Sequence, residues 1–182
     1  MKVAIISDIH DNIVNLEKCL AWCRENKIEE LIMCGDLCAP ATLVRVLAPK
    51  FSGKIHMVFG NVSDRELELE KAKEIAHVIH YGDLGEFEVD GKKVAITHYP
   101  VEAKKLAQSG KFDFVFYGHS HEPWIDTSAS LVRGSKKITQ MVNPGTLAGM
   151  FQKATFAVWD TESGKLELKL LELITNPQIF HK

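Results

Sequence analysis

Seven polar side chains of this 182-residue chain stand where apolar runs stop: Asp8 and His10, Asp36, Asn61, His98, and His119 with His121. The runs are Val3 to Ser7, Glu30 to Cys34, Ile55 to Phe59, Lys93 to Thr97 and Phe112 to Tyr117. Carboxylate, amide and imidazole donors together suit borderline divalent ions such as Mn, Fe, Co, Ni or Zn. Seven donors exceed what one four-coordinate site needs, and two ions sharing one carboxylate would use them all. Two ions about 3.5–4 Å apart lower the pKa of a shared water and clamp both oxygens of an in-line displacement. That chemistry suits phosphoester hydrolysis, where catalysis is mainly positioning and charge neutralisation. Taken singly, each residue has a plainer reading. Asp8 and His10 make a loop turn and a helix cap, and His119 and His121 make a surface pair on one face of a continuing strand. The coincidence of all seven at strand ends carries the metal reading. His56, His77, His80 and His181 fall outside this pattern and read as surface or strand histidines.

The elements that must position these residues follow from periodicity. Val3 to Ser7 is continuously apolar, as in a strand buried on both faces. A helix is expected from about Asn12 to Glu25, with Asn12 as N-cap. A second strand ends at Gly35-Asp36, and Pro40 opens a helical stretch closed by Pro49. A third strand ends at Gly60-Asn61, and Ser63 or Asp64 caps the charged helix after it. Its Glu66, Glu68, Glu70 and Glu74 read as a solvated face with Lys71 and Lys73 as partners. This βαβαβα order implies parallel strands with crossover helices, whose carboxyl ends share one edge.

The grammar then changes to a hairpin at Asp90-Gly91, a strand to Thr97, a short helix over Val101 to Gln108, and a strand to Tyr117. From Trp124 the chain reads as all-β. It has a hairpin tip at Gly134-Ser135 flanked by Arg133, Lys136 and Lys137, a strand from Ile138 to Val142, and a hairpin around Ser163-Gly164. Leu166, Leu168 and Leu170 alternate with Glu167 and Lys169, as in a half-buried strand. A tail begins at Asn176-Pro177. With no repeat or linker, one domain over residues 1–182, with a tail at about 174–182, should hold two sheets face to face.

In order and spacing, Asp8-x-His10, Gly35-Asp36, Gly60-Asn61, His98 and Gly118-His119-Ser120-His121 resemble the five motif blocks of the calcineurin-like metallophosphoesterase superfamily. Together with Asn143-Pro144-Gly145 in a short chain, they resemble its small YfcE-type phosphodiesterase branch, which is related to the retromer small subunit. The resemblance spans roughly Met1 to Leu173. It implies an α/β four-layer α-β-β-α sandwich, with two mixed sheets packed face to face and helices flanking them. It also implies one ion held by Asp8, His10, Asp36 and His121, and a second held by Asp36, Asn61, His98 and His119. Asp36 would bridge, and a hydroxide between the ions would be the nucleophile. Manganese is the expected metal, with Ni, Fe, Co or Zn as alternatives, and Asn12 and Tyr99 are expected to contact a small phosphoester substrate. Gly118 is read as the residue that lets the chain turn at the strand end, and Ser120 as a spacer.

Two departures from the superfamily pattern stand out. Val62 follows Asn61 where many members have a histidine that can protonate the leaving group. Asp11 replaces a common glycine and is expected to narrow the entrance near Asn12. The activity expected is a dinuclear metal-dependent phosphodiesterase; the alternatives are a non-catalytic interaction scaffold on the same fold and a phosphomonoesterase or nucleotide hydrolase.

Composition bounds the remaining classes. Hydrophobic content of 46%, charged content of 25% and a net charge of -2 describe an ordinary globular chain with no global basic field for nucleic acid. The opening apolar run is too short for a signal peptide or membrane span, so the cytoplasm is expected. A homo-oligomer is left open. Leu16, Cys19, Leu20 and Cys23 follow one helix face, so Cys19 and Cys23 read as small core hydrophobes. Neither they nor Cys34 and Cys38 have zinc-finger spacing.

Overall fold

Val3 and Ile5 point to one side of the first strand and Ala4 and Ile6 to the other, and all four are fully buried. A strand covered on both faces must lie between layers, and the computed structural model, describing residues 1–126 and 139–174, supplies them. The expected hairpin tip at Gly134-Ser135 with its basic residues, Ile138, the tail from Asn176 and His181 lie outside the described residues.

The first sheet is built from β1 (Lys2–Ile6), β2 (Glu30–Met33), β3 (Lys54–Met57) and β4 (Val78–His80), all parallel. Its crossovers carry α1 (Ile13–Glu25), the helical pair α2 (Pro40–Thr42) and α3 (Ala48–Lys50), and α4 (Arg65–Lys73). The second sheet contains β5 (Leu84–Val89), β6 (Lys92–Thr97), β7 (Phe114–Phe116), β8 (Trp124–Asp126) and β9 (Gln140–Asn143), in the order β5-β6-β7-β9-β8. α5 (Pro100–Gln108) connects β6 to β7. Late in the chain, β10 (Thr155–Asp160) returns to pair antiparallel with β1, and β11 (Leu166–Leu170) extends that edge.

Period-2 alternation then sorts the core into three strata. Ala4 and Ile6 pack with Leu16, Cys19, Leu20 and Cys23 beneath α1. Val3, Ile5 and Ile32 meet Val94, Ile96, Phe116 and Trp159 between the sheets. Ala95 and Val115 pack with Ala103 and Ala107 of α5. The result is the expected α-β-β-α sandwich of two mixed sheets.

Several local expectations are corrected. Pro49 does not close the helical stretch, which continues to Lys50 through a widened turn at Leu43–Leu47, where Ala48 N–H bonds Leu43 O. Proline lacks an N–H and its ring needs room from the preceding turn, which such a bulge provides. β4 was not foreseen, because three residues leave no readable period. Glu68 is not solvated: it is 1% exposed and faces the equally buried His80 side chain, Oε1 to Nε2 at 3.0 Å. His56 is a strand histidine of β3 but not a surface one: it is buried, its ring stacked on that of Phe87 at 4.0 Å centre to centre. Leu168 is exposed on edge strand β11, so the alternation there does not mark a clean buried face. No helix among the described residues is long and apolar enough to cross a membrane.

Candidate metal centre

The carboxyl ends of β1, β2 and β3 belong to one sheet and those of β6 and β7 to the other. The seven donors therefore gather at a rim shared by two sheets, not at the edge of a single one. Backbone hydrogen bonds lace the rim. Asp8 N–H donates to Gly35 O, and Ile9 and His10 N–H both donate to Asp36 O, each at 3.0 Å. Gly118 N–H donates to His98 O at 3.0 Å, and Ala148 N–H to Asp8 O at 3.0 Å.

Five of the seven donors sit in the left-handed backbone region: Asp8 (φ 53°), His10 (43°), Asp36 (56°), His119 (71°) and His121 (60°). Residues other than glycine are uncommon there. Such strain is of order 1–3 kcal/mol per residue and persists where the surroundings over-determine it. This overturns the picture of His119 and His121 alternating along a strand. β7 ends at Phe116, and the turn sends the two imidazoles to different partners. Gly118 has no left-handed φ to accommodate. It is needed because a Cβ would overlap Ser7 Oγ and stand 2.7 Å from Asp8 Oδ2. Ser120 is more than a spacer: its Oγ accepts from the buried Asn143 Nδ2 at 2.9 Å, which also donates to Gly118 O at 3.2 Å.

The donors form two groups. In the first, His10 Nε2 and His121 Nε2 face each other at 3.3 Å, and His121 Nε2 lies 3.2 Å from Asp8 Oδ1. His121 Nδ1 is occupied by donation to Met150 O at 3.2 Å, and His10 Nδ1 lies 3.5 Å from Cys38 Sγ. His121, its Nδ1–H engaged by the Met150 carbonyl, turns its Nε2 lone pair to the site. There it meets His10 Nε2, and a divalent ion could replace the direct contact between the two nitrogens. Their separation matches the roughly 3.3 Å expected of two imidazoles on one tetrahedral ion with bonds of about 2.0–2.1 Å. Asp8 Oδ1 makes the same point. It is buried with no hydrogen-bond partner, a costly state for a carboxylate oxygen that a bound cation relieves. The residues therefore fit a divalent ion.

In the second group, His98 Nε2 and His119 Nδ1 converge on Asn61 Oδ1 at 2.9 and 2.8 Å. His98 Nδ1 donates to Cys34 O at 2.8 Å. Between the groups, Asp36 Oδ2 lies 3.6 Å from His10 Nε2 and 3.5 Å from His98 Nε2. Asp36 Oδ1 accepts from Val62 N–H at 2.9 Å. Electrostatics couple His98 to Asp36. Burial works against a charged His98, but the Asp36 carboxylate and the Cys34 carbonyl outweigh it and hold the pKa above its ordinary value. Burial likewise pushes Asp36 up, yet His98, the Val62 N–H and His10 bring it below the usual carboxylate range.

The remaining expected residues are placed as follows. Tyr99 is 40% exposed, with its ring edge-on to His98 and His119 at 5.1 and 5.0 Å. Asn12 caps α1 by accepting from Asn15 N–H, and its Nδ2 donates to Ala148 O at 2.9 Å, so one end of its amide serves the helix and the other the Ala148 loop. Asp11 does not reach across the entrance: its carboxylate accepts from Ala39 N–H at 3.1 Å and Thr42 Oγ1 at 2.7 Å. Cys38 at His10 was missed. Burial first, then the Asp11 and Asp36 carboxylates, pushes its thiol up to about 11. Nothing in its spacing from Cys34 signals this contact.

The class of protein is set by a fold of two packed mixed sheets whose acidic, amide and imidazole side chains, paired across one rim, could hold divalent ions. Residues 1–164 match the model of the calcineurin-like phosphoesterase superfamily domain, and the chain belongs to that family. It is 26% identical over 176 residues to phosphodiesterase MJ0936 of Methanocaldococcus jannaschii, covering 94% of this chain and 100% of that one. A solved structure described as a novel archaeal phosphodiesterase superposes with a TM-score of 0.81 at 27% identity, over 93% of this chain and 99% of that one. YfcE, a phosphoesterase from E. coli, shares the fold at a TM-score of 0.61 and 16% identity, over 94% of this chain and 100% of that one. So does Vps29 of Entamoeba histolytica solved with zinc, at 0.64 and 13%, over 93% and 97%.

Proposed function

We propose that this protein is a phosphodiesterase of small substrates that works with two divalent ions, manganese foremost. One observation carries the reading: Asp36 Oδ2 stands between His10 Nε2 and His98 Nε2, 3.6 and 3.5 Å away, within reach of both donor groups. Asp8, His10, Asp36 and His121 would hold the first ion, and Asp36, Asn61, His98 and His119 the second. When bound, such ions make a water nucleophilic at neutral pH and neutralise charge on the phosphoryl oxygens.

The chain supplies position and order. The Cys34 and Met150 carbonyls orient the His98 and His121 rings, and the Val62 N–H fixes the second Asp36 oxygen. Val62 itself has no proton to give, and general-acid help is worth about 10²–10⁴-fold. Diesters with good leaving groups should therefore turn over best. The phosphodiesterase similarity supports the same substrate class. We read the chain as one catalytic domain. Its four free cysteines fit a reducing, cytoplasmic setting.

The test begins with metal-free protein. Adding Mn²⁺ should raise its melting temperature, since saturation at about 100 times Kd stabilises by about 2.7 kcal/mol. It should also start hydrolysis of an activated phosphodiester in preference to the matching monoester. Asp36→Asn should keep the fold and lose both responses. No turnover with any divalent ion, alongside an intact fold, would favour a non-catalytic scaffold instead.

A further inference from the structure

Phe151 is 88% exposed and has a left-handed backbone, φ 63°. Neither feature serves folding: a ring left in water gains nothing from burial, and a bulky residue at positive φ is a steric outlier. The loop that carries it is nonetheless held firmly. Asn12 Nδ2 and Asn15 Nδ2 both donate to Ala148 O, and Asn15 Nδ2 also to Leu147 O. Met150 O accepts from His121 Nδ1 at 3.2 Å, so the loop is tied directly to one of the donors. The Phe151 ring lies 5.8 Å from the His121 ring, centre to centre. A cleft of about 420 Å³ opens over His10, Asp36 and His121, and Met150, Phe151, Glu122 and Gln152 continue its wall.

A solvent-facing aromatic on a loop tethered beside the candidate centre offers a π-face to a planar group. We propose that Phe151, backed by Met150, is the stacking platform for a nucleobase on one ester arm of the phosphodiester, a specificity that rests on the phosphoesterase reading above. Glu122 and Gln152 give the choice of arm its chemistry. A carboxylate on the wall repels a second phosphate, which disfavours polyphosphates. Together, the carboxylate and the amide offer the acceptors and donors that pair with the edge of a base.

Two activated diesters with the same nitrophenyl leaving group separate the possibilities, one with a nucleoside as the retained arm and one with methyl. Stacking on an aromatic side chain is typically worth about 1–3 kcal/mol, or roughly 5- to 150-fold. Phe151→Ala should therefore raise KM for the nucleoside ester at least about 5-fold, leaving kcat and the methyl ester unchanged. Phe151→Tyr should restore the preference. Equal losses on both esters, or none on either, would overturn the platform. A binding arm is independent of turnover: a nonhydrolysable nucleoside phosphonate diester is titrated against Mn²⁺-loaded wild type and Phe151→Ala. Weaker binding by the variant supports the platform even if wild type hydrolyses neither ester, an outcome that would sink the phosphoesterase reading alone. Equal affinity overturns the platform whatever the activity.

Discussion

Gly60→Ala tests the geometry of the centre without replacing a donor. The backbone of Gly60 is not left-handed, so alanine brings no conformational penalty of its own. Its Cβ, however, would overlap Asp36 Oδ1 and the Asp36 backbone N, and would stand 2.6 Å from Asp36 Cγ, where real Cβ contacts essentially never fall under 3.0 Å. The backbone N cannot swing aside, so the chain and the carboxylate must separate by on the order of 1 Å, and a misplacement of that size costs about 10²-fold in rate. Overpacking adds about 1–3 kcal/mol of lost stability. The displaced carboxylate also weakens its bond from Val62 N–H, and hydrogen bonds to charged groups are worth about 1.5–3 kcal/mol. The assay pairs Mn²⁺ titration calorimetry and kcat/KM on an activated diester with thermal melting. Gly164→Ala is the control: it has a left-handed φ of 70° and open space around its Cβ. It should lose about 1–2 kcal/mol with metal affinity and turnover per folded molecule intact. Near-normal Mn²⁺ affinity and turnover in Gly60→Ala would refute the placement of Asp36 beneath this glycine.

Two further predictions concern buried groups away from the donors. Burial holds the His56 pKa below its ordinary 6.5, with Glu30 only partly opposing it. The unfolded chain then binds the extra proton first, so this contribution is complete above about pH 6.5 and is lost as pH falls toward the folded value. The raised His98 acts oppositely, stabilising below about pH 6.5 and losing that contribution as pH rises through its folded value. Urea unfolding of wild type and His56→Gln at about pH 7.5 and about pH 5.5 isolates the His56 share. The stability gap between the two proteins should be smaller at the lower pH, and a gap that widens there would contradict the assignment. Glu68→Ala should cost roughly 1–3 kcal/mol by leaving the buried His80 Nε2 without its partner; an unchanged melting temperature would show that the pair contributes nothing.

The sequence by itself determined the parts. Runs such as Val3 to Ser7 and Ile55 to Phe59 declare buried strands through local apolar content. Asn12 and Asp64 cap the helices that follow them, because capping is a local hydrogen-bond event. All seven donors were visible as polar residues ending apolar runs. Where pairing is non-local, the sequence was silent. Nothing local says that β10 returns to β1, that Glu68 is covered by His80, or that Cys38 meets His10.

Tertiary structure also decided what each donor does. His119 and His121 are two residues apart in a short motif. Left-handed backbone at both, laced to the opposite sheet, sends one to Asn61 and the other to Asp8 and His10. The place of Asp36 between the groups depends on Gly60 lacking a side chain and on two sheets meeting at one rim. Local periodicity specifies which face a side chain takes. Only the packing of distant segments specifies which side chains then share the same few ångströms.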